Sequence, residues 1–169
     1  MNKPFSQACA NNSQFICEKL QVLLAQSHCV LEIGSGTGQH AVYFSHHLPH
    51  VLWQTSDLAQ NNAGIIQWID DEGSDNCLPP VELNVVQPDW SSVLTTCDKH
   101  VDVIFTANTL HIMSPLLVEK CFQGVGNILP ENGLFIVYGP FKYDGCYTSE
   151  SNAQFDQWLK EADPSRLEI

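Results

Sequence analysis

The sequence predicts an α/β domain with a doubly wound, mainly parallel sheet, and three observations carry that prediction. Short apolar runs at 29–33, 51–55, 81–85, 101–107 and 134–138 alternate with longer segments of helical apolar spacing. The first run ends in Gly34-Ser35-Gly36-Thr37-Gly38, a glycine-rich corner between a strand and a helix. The run Val101 to Ala107 is apolar almost throughout, as a central parallel strand buried on both faces requires. Parallel strands need right-handed crossovers, and the intervening helical segments supply them.

Taken in order, Ile16, Leu20, Leu23 and Leu24 place a helix over 13–26, with Ser13 or Asn12 as its cap. The preceding Phe5 to Asn12 is too polar and irregular for an element of its own, and reads either as a fraying leader or as a flap over the crevice. After the glycine corner a helix over about 39–48 buries Ala41, Phe44 and Leu48 and stops at Pro49. The second strand leads to Thr55-Ser56-Asp57, and Leu58, Ile65, Ile66 and Ile69 describe the next helix. Residues 70–80 are rich in Asp, Gly, Ser and Pro and read as an acidic surface loop before a third strand at 81–85. The fourth strand exits into Asn108-Thr109-Leu110-His111, and Ser114-Pro115 opens a helix to about Leu129. A turn at 130–133 precedes the fifth strand, Leu134 to Tyr138, which leaves Gly139-Pro140-Phe141 in the crevice, and a last helix runs from Ala153 to Glu161.

With 169 residues the chain makes one domain, 1–169, with a sizeable core. Nineteen acidic against seven basic residues give a formal charge of −12, which argues against a surface that holds nucleic-acid phosphates. No apolar run approaches the length that crosses a bilayer, so no membrane partner is expected, and Met1 to Phe5 begin no long apolar leader. The seven cysteines (9, 17, 29, 77, 97, 121 and 146) are odd in number, form no C-x-x-C pair and lie mostly in apolar runs, the pattern of reduced core thiols in a cytoplasmic protein.

The glycine corner carries the chemistry. Three glycines let the backbone turn sharply and approach a ligand, and the helix that follows offers unpaired N–H groups. The spacing G-x-G-x-G places Gln39 where a dinucleotide fingerprint wants a small residue. Glu32, just before the corner, would face the crevice with a charge that repels a pyrophosphate and welcomes a cation such as the ammonium or sulfonium of S-adenosylmethionine. Asp57 follows Gly38 by 19 residues, the distance at which a nucleotide-binding α/β unit puts the carboxylate for the ribose hydroxyls, though it also suits a helix cap.

The strings LEIGSGTGQHA, SD at 56–57, ANTLHIM at 107–113 and YGPF at 138–141 together resemble the DUF938 family (UPF0585, methyltransferase-like 26), within the class I S-adenosylmethionine-dependent methyltransferases. The resemblance runs from about Pro4 to Pro164. It implies a Rossmann-like sheet of strand order 3-2-1-4-5 completed by two further strands, the last antiparallel, before which this sequence stops. It also implies a donor site formed by Glu32, Gly34, Ser35, Gly36, Thr37, Gly38, His40, Asp57 and Asn108, with Asn84 reading the adenine amino group where the family suggests an aspartate. Trp90 would flank the adenine or close the core. The family pattern S-x-A-x-x-R-N is matched at Ser6, Ala8 and Asn12, but Asn11 replaces the arginine, which removes an anionic-substrate contact.

The reading that follows is methyl transfer to a small molecule, an in-line displacement that mainly requires binding and aim. His111 is the candidate base, or else a helix-start histidine bonded to backbone, and Asn108 positions donor or acceptor. A non-catalytic donor-binding module and a dinucleotide-dependent oxidoreductase are the alternatives. His40, His46, His47 and His50 lack ligand spacing, so no metal is expected. An apolar fifth strand at the sheet edge would favour self-association.

Overall fold

Why the sheet forms where it does is clearest in its first strand, where every side chain is buried and neighbours alternate between two cores. The computed structural model describes residues 3–91 and 101–162. Strands β1 (Cys29–Ile33), β2 (Leu52–Asp57), β3 (Cys77–Glu82), β4 (Val103–Ala107) and β5 (Leu134–Tyr138) form one parallel sheet in the order β3-β2-β1-β4-β5. Helices α1 (Gln7–Leu23), α2 (Gln39–His47), α3 (Ala59–Glu72), α4 (Pro115–Ile128) and α5 (Glu150–Ala162) lie between and after them. Val30 sits between Trp53 and Val103 in register, and Leu31 between Gln54 and Ile104. Val30 faces a core with Leu20, Leu24, Phe44, Trp53 and Phe105, against which α1 and α2 pack. Leu31 and Ile33 face the other core, with Ile104, Trp90, Cys121 and Val125, closed by α4. Phe44, Trp53 and Phe105 meet at ring-centroid distances of 5.3 to 5.7 Å in tilted and edge-on arrangements.

Three elements differ from the sequence expectation, each for a local reason. The first helix begins at Gln7 rather than 13, because Ser6 Oγ accepts from the Cys9 N–H and caps it. Its first turns carry few apolar residues, so periodicity alone misses them. The third strand begins at Cys77 and ends at Glu82; Pro79 and Pro80 fit there because β3 is an edge strand paired only with β2. Much of the expected acidic loop is therefore structured, with Asp70, Asp71 and Glu72 closing α3. The last helix starts at Glu150, where Ser149 Oγ accepts from the Asn152 N–H. Cys9, Cys17, Cys77, Cys121 and Cys146 are free thiols, with Cys146 exposed; Cys97 lies outside the described residues. Among the described residues no helix is long and apolar enough to cross a membrane.

The order of the sheet reverses direction between β1 and β4, so the crossovers that leave their carboxyl ends part to opposite sides. A crevice opens there, at the position where open α/β sheets bind ligands.

Candidate ligand site at the carboxyl end of the sheet

The loop after β1 is held from beneath. The Ser56 carbonyl accepts from the N–H groups of Gly34 and Ser35 at 3.0 and 2.9 Å. Ser35 Oγ donates to Glu32 Oε2 (2.8 Å) and accepts from the Ser56 N–H (3.1 Å). Asp57, at the end of β2, accepts from the Gly36 N–H at 2.7 Å through Oδ2, while its Oδ1 accepts from the Leu58 N–H and from Asn61 Nδ2, both at 2.7 Å. The loop is thus shaped by the same carboxylate that the spacing marks for a ligand.

The glycines of this loop have different work. A Cβ on Gly34, whose φ is +73°, would stand 2.8 Å from the Thr109 side chain, so that residue is glycine for close packing. Gly36 has φ +58°, and a Cβ there would meet only the Gly34 carbonyl oxygen at 4.0 Å. Its bare face opens on a cavity of about 530 Å³. Of the residues marked by sequence, Gly34, Ser35, Gly36, Thr37, Asp57, Asn84 and Asn108 line this cavity. Asn84 Oδ1 accepts from the Val86 N–H at 3.2 Å, and Asn108 holds φ +55° with its N–H donated to the Tyr138 carbonyl.

Four of the marked residues lie elsewhere. Glu32 is 2% exposed and points beneath the loop, where its Oε2 also accepts from Trp53 Nε1 at 3.1 Å. The expectation that its charge faces the crevice is corrected by this burial, since a strand covered on both faces has no outward side. Desolvation raises the Glu32 carboxyl to about 7, although its two hydrogen bonds oppose the change. Gly38 caps α2 and packs on Ile65. His40 is buried, stacked on Phe44 at 5.1 Å, with Nε2 2.7 Å from Asn12 Oδ1, so it ties α2 to α1 instead of facing the cavity. Trp90 belongs to the α4 core and lies against Gly124. The α2 N-terminus is likewise closed off: Gln39 Oε1 accepts from the Ser6 N–H and from Thr37 Oγ1, and the cavity touches the loop rather than the helix end. His46, His47 and His50 each contact a backbone carbonyl, of Glu72, Tyr43 and Leu24.

Burial lowers His40 to about 4 from its ordinary 6.5, whereas it raises Glu32 from 4.5 to about 7. Each displacement spans about 2.5 pH units, worth roughly 3 kcal/mol of linkage. Their signs are opposite. Stability contributed by neutral His40 is present above 6.5 and lost as pH falls toward 4, while that of protonated Glu32 is present below 4.5 and lost as pH rises toward 7. Urea unfolding of the wild type should show little net slope from this pair between 4.5 and 6.5. Glu32→Gln should expose a loss of stability on acidification, and His40→Gln a loss on alkalinisation; parallel profiles for the two variants would refute the assignment.

Ser6, Ala8 and Cys9 bring the start of α1 to the cavity, so the segment read as a leader or a flap over the crevice is instead the opening of a helix that walls it. The readable signal was the cap spacing from Ser6 to Cys9. Asn61, four residues after Asp57 on the first turn of α3, and Ile112, Met113 and Leu117 near the start of α4 complete the wall.

A second cavity, of about 860 Å³, adjoins the first, and Ala8 and Asn108 line both. His111 lies here, 4% exposed, with its ring edge-on to Phe155 at 5.3 Å. Asn108 and His111 are therefore brought to one wall, while the donor-marked loop lies on the far side of Asn108.

The fold is similar to that of several solved methyltransferases. An O-methyltransferase family protein from Burkholderia thailandensis superposes with a TM-score of 0.74 at 15% identity, over 95% of this chain and 48% of that one. The S-adenosylmethionine-dependent methyltransferase SibL in its apo form gives 0.74 at 17%, over 94% and 44%. Human N-acetylserotonin methyltransferase in complex with SAM gives 0.71 at 10%, over 90% and 41%. At such identities the likeness concerns the fold alone, a Rossmann-like parallel sheet in the order β3-β2-β1-β4-β5, and this chain spans less than half the length of those proteins. Residues 3–166 match the family described as "Protein of unknown function (DUF938)", and the chain belongs to that family.

Proposed function

We propose that this chain binds S-adenosylmethionine in the cavity beside the glycine loop and catalyses methyl transfer to a small molecule in the adjoining cavity. The observation that carries this reading is Gly36: its missing side chain leaves a cradle in the cavity wall, and its N–H is held by the Asp57 carboxylate at the end of β2. The residues fit such a ligand. Asp57 has acceptor capacity beyond its three bonds for ribose hydroxyls, and Asn84 presents an amide at the end of the neighbouring strand for a base edge. When bound, S-adenosylmethionine supplies an activated methyl carbon that passes to the acceptor's lone pair as the sulfur–carbon bond breaks. Asn108, shared by both cavities, orients the two ligands, and a ring nitrogen of His111 takes the proton of an acceptor hydroxyl. A dinucleotide fits less well, because the α2 N-terminus that would hold its pyrophosphate is covered by Gln39. Calorimetric titration is expected to show binding of S-adenosylhomocysteine and none of NAD; the reverse result would overturn the proposal. A methyl-release assay over a metabolite panel tests turnover.

Asp57→Ala should weaken S-adenosylhomocysteine binding roughly 10- to 100-fold, equivalent to about 1.5–3 kcal/mol. Because Asp57 also holds the Gly36 N–H, Asn61→Ala provides the comparison, removing one partner of the carboxylate while leaving its charge. An Asp57→Ala protein with unchanged affinity and an unchanged melt would remove the ribose role.

Self-association is proposed on separate grounds. Among the described residues strand β5 pairs only with β4, leaving an apolar edge from Leu134 to Tyr138. Light scattering should report a concentration-dependent mass, reduced by Leu134→Lys, which puts a charge on an exposed edge position. A monomer at every concentration would refute it.

A further inference from the structure

We propose that the second cavity selects an uncharged, flat aromatic molecule bearing a hydroxyl group. This rests on the methyltransferase reading only for the fate of that molecule, not for its binding. Phe15, Tyr138, Phe141 and Phe155 supply ring faces and edges around the cavity, and its hydrogen-bonding groups are neutral ones, Asn108 and His111 on one side and Asn11, Asn12, Ser151 and Asn152 among the others. Among the described residues that line it there is no Asp, Glu, Lys or Arg. Lys142 and Asp156, which adjoin lining residues in the sequence, are paired with each other: Lys142 Nζ lies 3.3 Å from Asp156 Oδ2 and over the Tyr147 ring, and Asp156 also accepts from the Tyr147 hydroxyl at 2.5 Å. In a protein of net charge −12 an uncharged aromatic wall is a specific choice. A carboxylate or ammonium placed there would lose hydration and meet only neutral groups, with no countercharge to offset the loss.

Gly139 gives the cavity its shape. A Cβ there would stand 3.4 Å from the Phe141 ring and 3.8 Å from His111 Nδ1, so the missing side chain leaves a slot beside an aromatic ring and an imidazole. A planar ring fits such a slot, with an edge hydroxyl directed to His111. The backbone of Gly139 is not in the left-handed region, so a side chain can be introduced without backbone strain.

The test uses three matched probes on the whole chain at pH 7: 2-naphthol, 2-naphthoate and 2-naphthylmethylamine, followed by calorimetry with and without S-adenosylhomocysteine. The expected result is that 2-naphthol binds at least about tenfold more tightly than either charged probe, and that S-adenosylhomocysteine does not displace it. Gly139→Leu should weaken 2-naphthol by at least about tenfold while leaving S-adenosylhomocysteine affinity unchanged, because its side chain fills the slot and not the first cavity. Equal or tighter binding of a charged probe, or competition with S-adenosylhomocysteine, would overturn the proposal; the wild-type comparison decides this even if the variant folds poorly. Selective 2-naphthol binding by a chain that fails to bind S-adenosylhomocysteine would support the aromatic cavity and overturn the methyltransferase reading instead.

Discussion

Gly124→Ala should lower the thermal midpoint by roughly 10 °C, corresponding to a loss of about 3 kcal/mol in a chain of this size. Alanine is ordinarily the better helix former by about 1 kcal/mol, so the sign is set by packing. A Cβ at Gly124 would lie 2.2 Å from two atoms of the Trp90 ring, far inside van der Waals contact. That ring is 2% exposed and belongs to the core of Leu31, Ile104 and Val125, so it has nowhere to retreat. Gly126→Ala, two residues further along α4 on its exposed face, meets nothing within 4 Å and should raise the midpoint by a few degrees. The paired melts check the packing directly. Equal shifts for the two substitutions would mean that α4 does not sit on Trp90 as described, and Trp90→Leu should recover part of the loss if it does.

Gly36→Val is expected to abolish donor binding, by at least about 100-fold in the S-adenosylhomocysteine dissociation constant. Two effects combine. A β-branched residue at φ +58° costs about 1–3 kcal/mol of backbone strain, and its methyl groups would project into the cavity instead of against protein. The first effect acts on the fold and the second on the ligand, so they separate experimentally. Calorimetry should show no binding by a variant whose urea unfolding remains cooperative, with a midpoint lowered by no more than the strain accounts for. Gly34→Val, by contrast, drives a side chain into Thr109 and should unfold the corner itself. Retained affinity in a folded Gly36→Val protein would place the ligand away from the loop.

The corner and the β2 acid were legible because they belong to one repeating unit, in which distance along the chain maps onto distance in space, whereas the strand order followed from the family resemblance. Gly34 and Gly36 stand 23 and 21 residues before Asp57 and meet it through a single β-α-β crossover. Glu32 was not legible in the same way: alternation along a strand identifies an outward face only when one face is solvated, and β1 has none. His40 misled for a related reason, since α2 is enclosed by α1 as well as by the sheet and lacks a fully wet side in its first turn. The second cavity lay beyond reach because its wall is assembled from α1, the ends of β4 and β5 and the segment before α5, which no local spacing connects.

The start of α1 contributes Ser6, Ala8 and Cys9 to one cavity and Ala8, Asn11 and Asn12 to the other. The first two turns of the helix are therefore a party wall. A ligand that settles against one side immobilises residues on the rim of the other, so the second arrival finds part of the ordering already done. Thermodynamic reciprocity makes the benefit mutual: whichever molecule enters first, each should raise the affinity for its neighbour by the same factor.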